Sequence, residues 1–397
     1  MRRAAFVFAA LMGLSPASHA QGARPEGRAV EISVLRQLRE EPAWATALTR
    51  PPEDEGFAGA RLALRDNETT GRLVGQGFRL TEASVPPGED ALAAFERLVA
   101  AGAGVVVLDV PAEVALRVAE VAAGRDLLVF NAGASDDRLR GADCRDDLLH
   151  TAPSRAMLTD ALAQYLAFKR WRRWFLIVGR TEGDRLYAEA LRRAARKFGA
   201  RIVAEKAWEF GPDARRTASA EVPVFTQGVE HDVVVVADEP GEFGDLIGYR
   251  TWEPRPVAGT QGLVPSAWHH TQEQWGAAQF QNRFQRLAGR PMRALDYSVW
   301  LAVRSVGEAA TRAKSTETQA IRDYLRGPAF ELAAFKGAPL NFRDWDWQLR
   351  QPMPLAQAVS LVSVSPQAGF LHQRTPLDTL GFDKAEAACP LKERSRQ

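Results

Sequence analysis

The chain has 397 residues, with 51 Lys and Arg against 49 Asp and Glu, and only two cysteines. That length accommodates two ordinary domains with full cores. The near-neutral balance offers no electrostatic footprint for nucleic acid or an anionic membrane surface, and two cysteines alone cannot build a structural zinc site.

The N-terminus sets the compartment. Arg2 and Arg3 precede an apolar run from Ala4 to Leu14, Ser15 and Pro16 break it, and Ser18-His19-Ala20 supplies small residues before a cleavage point. This pattern predicts a secretory signal peptide over residues 1–20, too short to span a bilayer; an N-terminal amphipathic helix is the alternative. No Cys follows the cleavage point, so a soluble exported protein without a lipid anchor is expected. Cleavage removes Arg2 and Arg3 but no acid, leaving 49 charges of each sign. In an oxidising compartment Cys144 and Cys389 are expected to form a disulfide, with two buried free thiols as the alternative. Closing so long a loop would stabilise the fold by roughly 4 to 5 kcal/mol and pin the C-terminal tail to the end of the first lobe.

After the leader, strand-like and helix-like segments alternate. Glu31 to Arg36 reads as a strand, Glu53 to Arg65 as a helix opening on acids, Phe78 to Val85 as a strand, and Asp90 to Ala101 as a helix. Val105 to Val110 is a continuous β-branched run, as expected of a strand buried on both faces. A helix from Pro111 to Ala123 and a strand from Leu127 to Phe130 complete the first array. The rhythm restarts with a helix over Met157–Lys169 and a strand over Trp174–Val178, then a helix over Arg185–Phe198. Strands follow at Arg201–Lys206, Asp232–Ala237 and Pro256–Gly259. Two successive arrays predict an α/β fold of two Rossmann-like, parallel-sheet lobes. Helices over 272–287, 297–313 and 317–325 would return to the first lobe, and Asn341 to Val364 reads as a hairpin. Crossovers are expected near Pro153, Gln279 and Leu340. Lobe I then takes 29–153 plus about 279–340, lobe II takes 154–278 plus about 341–372, and 373–397 form a tail.

Catalytic signatures are missing: no G-x-S-x-G, H-E-x-x-H, P-loop or C-x-x-C occurs. Gly75-Gln76-Gly77 lacks a third glycine and reads as a turn. Adjacent His269 and His270 would point apart on a regular element, which disfavours a metal site. The basic stretch Lys169 to Trp174 falls between a helix end and a strand start, so its cations suit the helix dipole better than nucleic acid. What remains is a set of loops at the carboxyl ends of buried strands, where open parallel sheets bind ligands. They are Asp109-Val110-Pro111, Asn131 to Ser135, Gly179-Arg180-Thr181, Asp238-Glu239-Pro240 and Thr260 to Leu263. The chain also holds 44 Arg, 7 Lys and 10 Trp, with Trp44, Trp252 and Trp268 in loops. Indole faces and guanidinium forks together suit flat, anionic aromatic ligands.

Three stretches carry a family resemblance: Asp66-Asn67-Glu68-Thr69-Thr70-Gly71-Arg72, Asn131 through Arg140, and Leu148 through Leu158. From about Glu31 to Cys389 the chain resembles the type I periplasmic solute-binding proteins of ABC transporters. It is most similar to those associated with pyrroloquinoline quinone-dependent alcohol dehydrogenase systems. The resemblance implies a periplasmic Venus-flytrap of two lobes joined by a three-crossover hinge. It also implies pyrroloquinoline quinone as bound ligand with no catalytic cofactor, an inner-membrane ABC permease as partner, and either ABC-type uptake or delivery to quinoprotein dehydrogenases. Taken with loop position, Arg36, Arg155 and Arg180 would neutralise carboxylates, Trp44 and Trp268 would stack, and Asn131, Ala132 and Gln261 would orient the ligand. The alternatives are a receptor of the same fold for a branched-chain amino acid, an amide or a small aromatic acid, and a ligand-sensing partner of a membrane signalling protein. No enzyme is expected.

Overall fold

The computed structural model describes residues 29–42, 45, 50–209 and 214–391, with the side chains of 214–216 left out. The leader therefore lies outside the described residues. The first array forms strands β1 (Val30–Gln37), β2 (Phe78–Val85), β3 (Val105–Asp109), β4 (Leu128–Asn131) and β5 (Leu148–His150). Between them run helices α1 (Phe57–Val74), α2 (Ala91–Ala100) and α3 (Ala112–Ala122). The strands make one parallel sheet of order β2-β1-β3-β4-β5. The second array is α4 (Arg155–Phe168), β6 (Arg173–Val178), α5 (Glu182–Lys197), β7 (Arg201–Ala207), α6 (Ala214–Thr226), β8 (Val233–Ala237), α7 (Gly244–Ile247) and β9 (Val257–Gly259). Its strands are parallel in the order β7-β6-β8-β9. Val105 to Leu108 and Val233 to Ala237 are fully buried, as helices covering both faces of each sheet require.

The chain then returns. After β10 (Val264–Pro265), helices α8 (Ala277–Ala288), α9 (Ala294–Ala313) and α10 (Thr318–Arg326) come back toward the first array. Short strands β11 (Leu332–Ala333) and β12 (Pro339–Leu340) follow, and the hairpin β13 (Met353–Gln357) and β14 (Ser360–Ser365) pairs with β10. Core membership marks the crossings. Ala267, Trp268 and Phe280 already pack in the core of the first lobe, while Met353 and Leu355 join that of the second. The middle crossing thus falls between Pro265 and Ala267, upstream of Gln279, and the last between Leu349 and Met353, downstream of Leu340. Trp268 and Leu349 decide this, because each buries its apolar surface in the first core.

α9 is held against α1 by close backbone contact. A Cβ on Gly59 would sit 1.9 Å from the Asp296 carbonyl oxygen, so only glycine fits. Asp296 caps both helices: Oδ1 accepts from Gly56 N at 2.8 Å and Oδ2 from Arg293 N at 3.0 Å. Asn67, from the first resembling stretch, donates to the Val303 carbonyl at 2.8 Å, so that stretch serves helix packing.

The sequence pattern gives no element between Lys206 and Asp232, where the structure has α6 with Pro223 inside it. Proline inside a helix breaks the pattern that predicts one.

Cys144 and Cys389 are bonded, with Cα atoms 5.7 Å apart. Cys144 belongs to the loop before β5, whereas the tail before Cys389 buries Leu380 in the second core. The tail is further fixed where the Gly381 carbonyl accepts from Arg193 at 2.7 Å and Lys197 at 2.8 Å. The disulfide therefore ties the lobes together as a covalent link besides the three crossings. Replacing both cysteines by serine should lower the thermal midpoint by about 5 °C or more and expose the tail to proteolysis. An unchanged midpoint with an intact tail would contradict this role.

Candidate ligand-binding cleft

Strand order locates the site. In the first sheet the direction of winding reverses between β1 and β3, and in the second between β6 and β8. The crevice outside the carboxyl ends at such switch points is where open α/β sheets bind ligands. Arg36 and Asp109 stand at the first switch point, and Gly179, Asp238 and Glu239 at the second.

Arg36 is buried, with Nε 3.3 Å from Asp109 Oδ2 and Nη2 3.7 Å from Glu55 Oε2. Its Nη1 also donates to the Glu53 carbonyl at 3.1 Å. Burial pushes the Asp109 carboxyl up, with Arg39 and Arg36 pulling it back; burial likewise raises Glu55, opposed by Arg293.

Arg155 opens α4 and joins the two lobes. Its Nε and Nη2 donate to Glu239, after β8, at 2.8 Å each. Its Nη1 lies 3.1 Å from Asp136, in the loop after β4. The strand-end loops of both lobes therefore converge on one guanidinium. Burial works against its charge, yet Glu239 and Asp136 outweigh burial and hold Arg155 above its ordinary value. Glu239 lies close on the N-terminus of α5: a Cβ on Gly183 would meet Glu239 Oε2 at 2.4 Å, and Glu239 N donates to Asp184 Oδ1 at 2.7 Å.

Behind this junction Arg140 is 1% exposed. Its Nη1 donates to the carbonyls of Ala134 at 2.9 Å and Asp136 at 3.1 Å, its Nη2 to Ala152 at 2.7 Å, and its Nε to Gln348 Oε1 at 2.8 Å. One side chain so binds the cleft loop, the first crossing and the last. Burial pushes its guanidinium down to about 10, with Asp137 and Asp346 opposing. The first and last crossings also pair directly, His150 N donating to Trp347 O at 3.0 Å and Leu349 N to His150 O at 2.9 Å.

The other expected site residues are less suited to a ligand. Asn131 is fully buried and closes its own turn: Oδ1 accepts from Ala134 N at 2.9 Å, while Nδ2 donates to Ala134 O at 2.8 Å and His150 Nδ1 at 3.1 Å. Ala132 is buried beside it, with N donating to Leu108 O at 2.9 Å. Gln261 donates to Asp238 O at 2.9 Å and accepts from Thr260 Oγ1 at 2.5 Å. Arg180 is half-exposed at the rim and pairs with Glu242. Trp268 is corrected outright. It is buried in the first core, with Tyr297 stacked on it at 4.7 Å and Phe280 edge-on at 5.3 Å, which leaves no face for a ligand. Trp44 lies outside the described residues. The structure thus places Arg36 at the first switch point and Arg155 at the junction, with Asn131 and Ala132 buried at the turn after β4. It adds the carboxylates of Glu55, Asp109, Asp136 and Glu239, whose signal was an acid placed at or just beyond the end of an apolar strand or opening the first helix.

These features define an α/β fold of two parallel-sheet lobes, that of the type I periplasmic binding proteins. Residues 57–222 match the periplasmic binding protein family. The fold is similar to a branched-chain amino acid ABC transporter periplasmic ligand-binding protein from Burkholderia xenovorans. That likeness has TM-score 0.70 at 17% identity over 91% of this chain and 100% of that one. A Brucella ovis protein binding leucine, isoleucine, valine, threonine and alanine gives 0.65 at 15% identity, over 88% and 93% of the two chains. A solute-binding protein from R. palustris in complex with benzoate gives 0.65 at 11% identity, over 91% and 100%. No curated protein matches the chain. At these identities the likeness establishes the fold.

Two outcomes test the junction. Arg140→Lys keeps the charge but not the fork, and should destabilise the protein by about 2 kcal/mol or more in denaturant unfolding. A change within about 0.5 kcal/mol would contradict the hub. His150 accepts at Nδ1 from an amide that can only donate, so it is neutral; burial holds it well below 6.5. The unfolded chain then binds the proton first, and stability falls as pH drops below about 6.5. His150→Gln should flatten that fall by about 1.4 kcal/mol per pH unit, measured between pH 6.5 and 5. An unchanged slope would contradict the assignment.

Proposed function

We propose that this chain is a periplasmic solute-binding protein that captures a small amino acid, amide or aromatic acid between its lobes and presents it to an ABC permease. The observation that carries this reading is Arg155, which draws the strand-end loops of both lobes to one point. A ligand seated there would bridge the lobes and favour the closed state. Capture requires no covalent step, so no catalysis is assigned.

Charge pairing favours a ligand of low net charge. Arg36 faces Asp109 and Glu55, Arg155 faces Asp136 and Glu239, and Arg180 faces Glu242. A zwitterion or a monoacid can exchange partners within such a set. A ligand with three carboxylates would need guanidiniums that are not already neutralised, and an aromatic platform that Trp268 does not supply. The pyrroloquinoline quinone expected from the resemblance, and the quinoprotein dehydrogenases with it, gain no support from these pairings. The folds of the branched-chain amino-acid and benzoate proteins are in keeping with the smaller ligands.

Calorimetric titration of the chain from Gln21 onward with leucine, the other amino acids, benzoate and pyrroloquinoline quinone tests the reading. One-to-one micromolar binding of an amino acid or aromatic monoacid is expected, weakened about tenfold or more by Glu239→Gln. Tight binding of the quinone with no response to the others would overturn the ligand class.

A further inference from the structure

A second cavity, of about 700 Å³, opens on the side of the first lobe among α1, α8, α9 and the segment around Phe335. It is separate from the cleft: Asp66 lies nine residues along α1 from Phe57, or about 14 Å from the end that faces Arg36. Four guanidiniums line it, from Arg65, Arg283, Arg286 and Arg304, and Asp66 is the sole carboxylate among the lining residues.

That one acid is already shared. Asp66 pairs with Arg283 and accepts from Trp300 Nε1 at 3.3 Å. Arg304 donates to Asn67 Oδ1 and lies 3.6 Å from Glu308. Burial pushes Arg304 below its ordinary value, with Asp66 and Glu308 opposing and Arg283 adding to the effect. Among the described residues neither Arg65 nor Arg286 has a carboxylate partner, although elsewhere most arginines of this chain are ion-paired. Leu62, Leu287 and the half-buried Phe335 supply an apolar floor. Phe335 is held by stacking on Phe280 at 4.5 Å.

We propose that this cavity is a second binding site, for a small polycarboxylate whose carbon frame rests on Phe335 and Leu287 while its carboxylates bridge the arginines of α1, α8 and α9. Guanidinium forks take carboxylates bidentately, and a multivalent anion would supply the counter-charge that Arg65 and Arg286 lack. The apolar floor favours an organic anion over inorganic phosphate. Because the three helices belong to the first lobe, such a ligand would bind without lobe closure. The site goes beyond the cleft function and does not depend on it.

The test uses the full mature protein and citrate as probe, followed by calorimetry and Trp fluorescence at low ionic strength, with acetate and phosphate as comparators. Citrate should bind one-to-one in the submillimolar range, at least tenfold tighter than either comparator. Arg65→Ala/Arg286→Ala removes exposed side chains and leaves the fold intact; it should weaken citrate at least tenfold. Arg196→Ala, which takes an exposed charge from α5 in the other lobe, should leave it unchanged. The proposal is overturned if citrate does not saturate, if phosphate binds as tightly, or if the double variant binds like the parent.

Discussion

The Arg140 guanidinium holds together the region on which the two-lobed arrangement depends. It lies in the interior with neutral carbonyls and an amide as its immediate partners. Burying a charge in this way is expensive unless every donor is met by an oriented acceptor. The carbonyls of Ala134, Asp136 and Ala152 come from the chain on either side of Arg140, and the amide of Gln348 from about two hundred residues further on. The guanidinium therefore fixes how the cleft loop and two of the crossings lie against one another. Gln348 extends the set, donating onward to the carbonyls of His150 and Ala152 at 3.2 and 3.1 Å.

In front of this rigid base the charges are exchangeable. Arg155 sits between one carboxylate from each lobe, and Arg36 between two carboxylates of the first lobe. Such pairs stabilise little beyond their desolvation cost, but they set geometry and sign. A ligand carrying both an anionic and a cationic group can substitute for one member of each pair. Under the proposed function, such pairs would let a ligand bind without stranding a buried charge and would link occupancy to the contact between lobes. The disulfide between Cys144 and Cys389 adds a covalent link between the loop before β5 and the tail packed on the second core.

Much of the fold was legible in the sequence because its strongest signals are local. Val105 to Val110 and Asp232 to Ala237 read as buried parallel strands and are so. The helix expected over Glu53–Arg65 starts at Phe57 and runs to Val74; Gly56, just before it, is held by Asp296, more than two hundred residues away, which no local pattern reveals. Pro223 concealed α6 for the opposite reason: the local signal was present but misleading. The site was less legible than the fold. Strand-end loops were recognisable from position, so Arg36, Asn131, Arg155 and the Asp238-Glu239 loop stood out. Which of their side chains is free was not, because a guanidinium reads alike whether it awaits a ligand or faces two carboxylates. Trp268 shows the same limit, since its loop position gave no sign that Tyr297 and Phe280 enclose it.

We propose that the lobes close around a small solute at the Arg155 junction. Small-angle scattering of the mature protein, with and without the ligand that titration selects, tests it most directly. Closure should give a smaller radius of gyration at saturation, and that contraction should be lost when Glu239→Gln weakens the bridge. Saturating binding in the cleft with no change in the scattering profile would contradict it.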